Sequence, residues 1–210
     1  NQAPFDFDIS VKDIYTSLLT GATLILIPKQ LFSTPPILLD YLCEKNVTVL
    51  IWAVSALTLV SALKGLDYRV PSSVRLIMFS GEIMPAKQLI KWQQALPDTS
   101  FYNLYGPTEV TCNCSFYKIK NDISPIGYEF PGRQIFLLDD DGNMIRSSKT
   151  NGEICVSGES LAAGYYNNPV SMANNTSRGS LHFISRSAAA NAFSPSRELG
   201  LSYIFYNDHF

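Results

Sequence analysis

Apolar positions in the first half of the chain follow two alternating rhythms. "VKDIYTSLLTGA" places them at helical spacing and stops at Gly21, which predicts a helix. "TLILIP" is a continuous apolar run ending at Pro28 and reads as a buried strand. "PPILLDYLCEKN" follows as a helix with prolines at its start, and "VTVLI" as a strand. "VSALTLVSALKG" is a helix closed by Gly65, and "SSVRLIMFSGE" a strand running into a Ser-Gly turn. "PAKQLIKWQQAL" is an amphipathic helix opened by Pro85, and "SFYNLYG" a further strand. Strands separated by helices of this length predict an α/β fold, with a mixed, mainly parallel sheet flanked by helices on both faces.

After Thr111 the pattern turns strand-like. "TCNCSFYKI", "GRQIFLLDDDGNMI" and "NGEICVSGESLAAGYY" carry it, with "DDDGN" as a hairpin turn. The expected organisation is an α/β part over residues 1–118, the start of a small β-rich part over 119–170, and an unassigned tail over 171–210. That tail is rich in Ser, Ala and Asn, and "LSYIFY" is its one clear element.

Composition narrows the classes. The 210 residues are 46% hydrophobic and 16% charged, as in a globular protein. A formal charge of −2 leaves no electrostatic footprint for nucleic acid or an anionic membrane. The longest apolar runs are too short to span a bilayer. No secretory signal is present, and since Asn1 is not a natural start, the true N-terminus is expected to lie upstream. Cys112 and Cys114 form C-x-C, which lacks usual zinc spacing and a nearby histidine. With Cys43 and Cys155 they read as reduced, buried thiols of a cytoplasmic protein. His182 and His209 lie far from every motif below, which argues against Ser-His-Asp or Cys-His catalysis.

Candidate chemistry gathers in turns after strands, where ligands of open parallel α/β sheets bind. "FSGEIMP" and "NLYGPTE" are the two turns concerned. Gly81 and Gly106 would let a ligand approach the backbone closely. Tyr105 could stack on a flat ring, and Asn103 could offer an amide to a base edge. Thr108 and Glu109 supply a hydroxyl for a phosphate and a hard oxygen for Mg²⁺. The blander alternative is a simple Y-G-P-T turn with Glu109 as a solvated charge. In "FDFDIS", Asp8 stands among apolar residues just before a helix. Either Asp8 or Ser10 caps that helix, or Asp8 is a buried carboxylate awaiting a cation such as a substrate ammonium. The spacing alone leans to the cap.

The ordered set "FDFDIS", "NLYGPTE" and "GEICVSGESLAAGYYNNP" resembles adenylate-forming enzymes over about Phe5 to Pro169, and "FSGEIMP" fits between them at a suitable distance. Within them it resembles amino-acid adenylation domains of nonribosomal peptide synthetases and D-alanine–carrier-protein ligases. The resemblance implies ATP-dependent activation of an amino acid as its adenylate. Transfer to the phosphopantetheine thiol of a peptidyl or acyl carrier protein would follow. It implies ATP and Mg²⁺ as cofactors. It assigns Asn103, Tyr105, Gly106, Gly81 and Glu82 to the nucleotide, Thr108 to phosphate and Glu109 to Mg²⁺, with Thr108 and Glu109 as the catalytic pair. Asp8 would pair with the amino acid's ammonium. Ile9, Lys12, Ile51, Met78, Ser80, Leu104, Cys112 and Asn113 map onto the side-chain pocket. Most are apolar and of middling size, suggesting a small or medium uncharged side chain. Lys12 itself reads as a snorkelling helix lysine with its amine in water. Pointing inward, it would favour an acidic or hydroxylated substrate.

The sequence departs from the family in lacking a Ser/Thr/Gly-rich phosphate loop, a "TGD"-type ribose segment and a C-terminal lysine domain. The expectation is a fragment of a larger ligase, inactive alone. An acyl-CoA or aryl-acid ligase of the same fold is the related alternative, although its substrate would leave Asp8 unpaired. A non-catalytic binding or scaffold remnant is the other.

Overall fold

The computed structural model describes residues 1–120, 124–146, 150–167 and 183–185. The chain divides into two compact units. One comprises Asn1–Asn103 with Lys118–Ser124, the other Leu104–Tyr117 with the residues from Pro125 onward.

In the first unit, the strands β1 (Val49–Ala53), β2 (Leu76–Ser80) and β3 (Ser100–Tyr105) are parallel neighbours in that order. Helices α1 (Ser10–Thr20), α2 (Pro35–Glu44), α3 (Val54–Ala62), α4 (Gly65–Tyr68) and α5 (Ala86–Ala95) supply the crossovers and flanks. The period of two divides the sheet. Leu50, Trp52, Ile77, Phe79 and Phe101 share one face and are all buried. On that side Trp52 meets Phe32 edge to face at 5.1 Å. Ile51 pairs in register with Met78, and Met78 with Tyr102, so these three and Ser80 share the opposite face. That face is less completely covered, since Met78 and Tyr102 are only half-buried. Trp92 of α5 is fully buried, and its Nε1–H donates to the Leu57 carbonyl of α3 at 3.0 Å.

The helices and the parallel order agree with the periodicity, and two details do not. "TLILIP" is extended but joins no ladder and is not buried. Its backbone is held by single bonds instead: the Ile27 N–H donates to the Asn1 carbonyl, the Asn1 amine to the Ile25 carbonyl, and the Tyr41 hydroxyl to the Leu26 carbonyl at 3.2 Å. A cavity of about 700 Å³ is lined by this segment and by Lys45–Trp52. Apolar pattern alone makes an extended segment, and a strand also needs a neighbour with free backbone groups. The end of α3 is also different. The left-handed residue is Lys64 (φ 56°), and Gly65 instead begins α4. Gly65 is needed for closeness: a Cβ there would lie 2.9 Å from Cβ of Pro35.

The second unit begins at the end of β3. A short 3-10 turn, Thr108–Val110, leads to β4 (Ser115–Lys118), which pairs antiparallel with β5 (Tyr128–Glu129). β4 runs against β3, with the Cys114 N–H on the Tyr105 carbonyl and the Ile119 N–H on the Phe101 carbonyl, so the sheet is mixed. A separate antiparallel sheet has the order β6 (Arg133–Leu138), β7 (Glu153–Gly158), β8 (Phe183–Ser185). β8 falls in the 171–210 tail, for which no assignment was expected. The "DDDGN" turn forms as expected: Asp139 Oδ1 accepts from the Asn143 N–H at 2.7 Å, and Gly142 is left-handed. Ile126, Leu137 and Ile154 form one apolar cluster, and Val110, Cys114 and Val156 another. "LSYIFY" lies outside the described residues.

Candidate active site

Within the first unit the site residues gather at the start of α1 and the C-terminal end of β2. The residues before α1 already turn helically. The N–H groups of Ser10, Val11 and Lys12 donate to the carbonyls of Phe7, Asp8 and Ile9. Backbone thus satisfies the first donors, and the side-chain cap expected from Asp8 or Ser10 does not form. The Ser10 hydroxyl donates instead to the Phe7 carbonyl at 2.8 Å. The half-buried Asp8 carboxylate has no hydrogen bond or ion pair among the described residues. One turn on, Lys12 does not snorkel outward. Its Nζ lies 3.3 Å from Oγ of Ser80, a buried residue at the end of β2. Ile51, Met78 and Ser80 share the sheet face described above, and Ile9 is half-buried beside Asp8. Gly81 follows with φ 96°, and a Cβ there would meet nothing within 4 Å, so the turn is open. Glu82 is exposed in the same turn. Asn103 is buried, and its Nδ2 donates to the Ser124 carbonyl at 3.3 Å. The 700 Å³ cavity takes in only Ile51 of these residues, and its lining runs along β1 from Val49 to Trp52.

Within the second unit, Tyr105 is half-buried and packs against both apolar clusters. Gly106 is a close-approach position, but the approach is internal. A Cβ there would lie 2.4 Å from Cα of Asn113 and 2.6 Å from the Cys114 nitrogen. Thr108 is exposed and Glu109 half-buried on the 3-10 turn. The Tyr165 hydroxyl donates to Oε1 of Glu109, and that bond holds the phenol's pKa above its ordinary value. The Ala162 N–H donates to the Glu109 carbonyl at 2.7 Å, and the Thr111 hydroxyl to the Ser160 carbonyl at 2.7 Å. Arg133 Nε reaches Oγ of Ser160 at 2.7 Å. Thr111 (φ 57°) and Cys112 (φ 77°) are both left-handed without being glycine. For β-branched Thr111 that is strain, held by the Ser160 contact. Leu104, Cys112 and Asn113 are buried. Sequence reasoning missed Tyr165, Ser160 and Thr111. The first two sit in "GESLAAGYY", a block that the family resemblance rested on, but no spacing rule links it to Glu109.

No cluster of three His, Cys, Asp or Glu side chains exists among the described residues. Such a cluster is not required for Mg²⁺ on a nucleotide, which takes one or two carboxylates and completes its shell with phosphate oxygens and water. Glu109 has one oxygen on Tyr165 and fits that donor set. No helix among the described residues is long and apolar enough to cross a membrane.

Residues 1–166 match the family model described as AMP-binding enzyme. The D-alanine–D-alanyl carrier protein ligase of Bacillus velezensis is 32% identical over 175 residues, covering 80% of this chain and 35% of that protein. Its counterpart from Staphylococcus epidermidis is 30% identical over 174 residues, covering 80% of this chain and 34% of that protein. The chain therefore spans about a third of these relatives' length. Among solved structures, IdnL1 superposes with a TM-score of 0.80 at 28% identity, over 99% of this chain and 44% of that one. The Vibrio cholerae adenylation domain AlmE, in complex with glycyl-adenosine-5'-phosphate, gives 0.80 at 25% identity, over 99% and 40%.

Proposed function

The chain belongs to the AMP-binding enzyme family, and on that premise we propose that it is part of an AMP-forming ligase that activates an amino acid. The amino acid's carboxylate attacks the α-phosphorus of ATP. Pyrophosphate leaves, and an aminoacyl-adenylate forms. A thiol, that of phosphopantetheine on a carrier protein, then displaces AMP and becomes a thioester. The curated relatives named above are carrier-protein ligases, which supports this second step. The same logic extends to nonribosomal peptide synthesis in the cytoplasm.

Each residue has a task in this reading. Asn103 and Tyr105 serve the adenine, with Gly106 keeping the strand end tight behind them. Gly81 and Glu82 line the open turn after β2. Thr108 contacts phosphate, and Glu109 holds Mg²⁺, which when bound would neutralise charge on the phosphate oxygens. Asp8 takes the substrate ammonium. The family resemblance assigns Ile9, Ile51, Met78 and Ser80 in the first unit, and Leu104, Cys112 and Asn113 in the second, to its side chain. The observation that carries the reading is the Tyr165–Glu109 bond. It joins two family blocks 56 residues apart on the one carboxylate proposed for the metal.

The test is amino-acid-dependent exchange of pyrophosphate into ATP by the full-length protein, across a Mg²⁺ series. Glu109→Gln keeps size but removes the charge a hard cation wants. It should lower exchange by roughly 100-fold or more, partly relieved by raised Mg²⁺, while AMP affinity survives. Wild-type rates from Glu109→Gln at every Mg²⁺ level would withdraw the metal role. Absence of exchange with every amino acid would withdraw the reading.

A further inference from the structure

We infer that Tyr165 makes Glu109 a one-oxygen metal ligand and thereby sets the preference of the site for Mg²⁺ over the larger Ca²⁺. The inference deepens the proposed metal role of Glu109 and rests on it.

One segment holds Glu109 at both ends. Strand β7 stops at Gly158, and the residues after it bond to the Thr108–Val110 turn and its continuation. The Ser160 carbonyl accepts from the Thr111 hydroxyl, and its Oγ from Arg133 Nε, both at 2.7 Å. Leu161 packs on the cluster of Val110, Cys114 and Val156. The Ala162 N–H donates to the Glu109 carbonyl at 2.7 Å, and the Tyr165 hydroxyl donates to Glu109 Oε1. Tyr165 is 39% exposed, so burial alone does not account for where its ring lies. Its hydroxyl is brought to the carboxylate by a segment already fixed through Ser160, Leu161 and Ala162.

The consequence falls on the carboxylate. Oε1 accepts the phenol's proton, and the Glu109 side chain makes no other bond among the described residues. Oε2 is the oxygen left for a cation. Mg²⁺ demands near-ideal octahedral geometry and is satisfied by single carboxylate oxygens. Ca²⁺ takes more oxygens at longer, looser distances and can use both oxygens of one carboxylate. The phenol therefore withholds the second oxygen that the larger ion would use. Removing it also leaves more negative charge for either cation, so the ratio of the two affinities is informative where each alone is not. Tyr165 is a positioning residue in this account. The competing account is a strut, in which the bond only ties the segment after β7 to the turn.

The experiment titrates the full-length protein calorimetrically with the α,β-methylene analogue of ATP, which cannot release pyrophosphate. It is run in saturating Mg²⁺ and in saturating Ca²⁺. The wild type should bind the analogue more tightly with Mg²⁺. Tyr165→Phe keeps the ring and should cut the Mg²⁺-to-Ca²⁺ affinity ratio about 10-fold, the scale of one hydrogen bond to a charged group. Pyrophosphate exchange with ATP in the two metals should shift the same way. Tyr166→Phe, at a residue 94% exposed, should leave the ratio at its wild-type value. A strut would weaken both complexes together and leave their ratio intact, and that result overturns the inference while Glu109 stands as the ligand. Equal affinities with the two metals in the wild type also overturn it. If Glu109→Gln binds the analogue in Mg²⁺ as tightly as wild type, the metal role and the inference fall together.

Discussion

Glu109 carries a phenol on one oxygen, and that contact can be watched directly. A carboxylate acceptor holds the Tyr165 proton, so Tyr165 should ionise above the ordinary tyrosine value. The raised value belongs to the folded state. The bond's contribution to stability is therefore fully present below the ordinary tyrosine value, about 10, and is lost as pH rises through the folded value. The Tyr68 phenol is raised in the same way by its bond to Asp40, so ultraviolet titration should show a late component to which both contribute, and Glu109→Gln should bring the Tyr165 part alone back toward the ordinary range. Tyr165→Phe should remove the same part of the late component and lower exchange about 3- to 10-fold, the scale of losing one hydrogen bond on a positioned group. An unchanged titration in Glu109→Gln would mean the two side chains do not meet in solution. Sequence could not assign this pair, because no periodicity relates residues so far apart. Lys12 was illegible for another reason: a lysine stem permits an inward or an outward amine, and only Ser80 decides which.

Elements were legible where local chemistry sufficed. α2 opens with proline at its first turn and α5 follows Pro85, so period and start signal agree. They were illegible where a partner decides. "TLILIP" has every local property of a strand except a ladder, and the start of α1 is closed by backbone where side-chain caps were anticipated. The end of β3 belongs to the same class. "LYGPTE" predicts a turn after a strand, but nothing in it says that Asn113 and Cys114 come back against Gly106. This gives Gly106→Ala a defined outcome. The clash is with backbone atoms at 2.4 and 2.6 Å, which cannot rotate aside. The cost should be about 1–3 kcal/mol or more, read from urea melts. It should be accompanied by weaker AMP binding, because Tyr105 and Thr108 flank the displaced bond. A stability within error of wild type would mean that the 113–114 segment moves away freely.

Across the whole molecule, a parallel sheet with helices between its strands followed from alternating periodicity, and the change to antiparallel strands followed from the altered pattern after Thr111. The division at Asn103 and Leu104, inside one strand, left no mark in composition or turn residues. It can be tested with probes the chain already contains. Trp52 and Trp92, its two tryptophans, are buried in the first unit. Cys112, Cys114 and Cys155 are buried in the second. Burial pushes the thiols of Cys114 and Cys155 up to about 12. At pH 8 only about one in 10⁴ of each is thiolate, the reactive form. Cys43, half-buried in the first unit, should therefore be the one thiol that reacts readily with a maleimide under native conditions. In a urea series, tryptophan emission reports the first unit and labelling of the other three cysteines reports the second. β3 contributes Phe101 and Asn103 to one unit and Leu104 and Tyr105 to the other, and half a strand cannot melt without orphaning the ladder bonds of the rest. The two probes should therefore share one midpoint, as in a single cooperative transition. Labelling of Cys112, Cys114 and Cys155 at a urea concentration where tryptophan emission is still native would show that the units unfold separately and that β3 yields at the boundary.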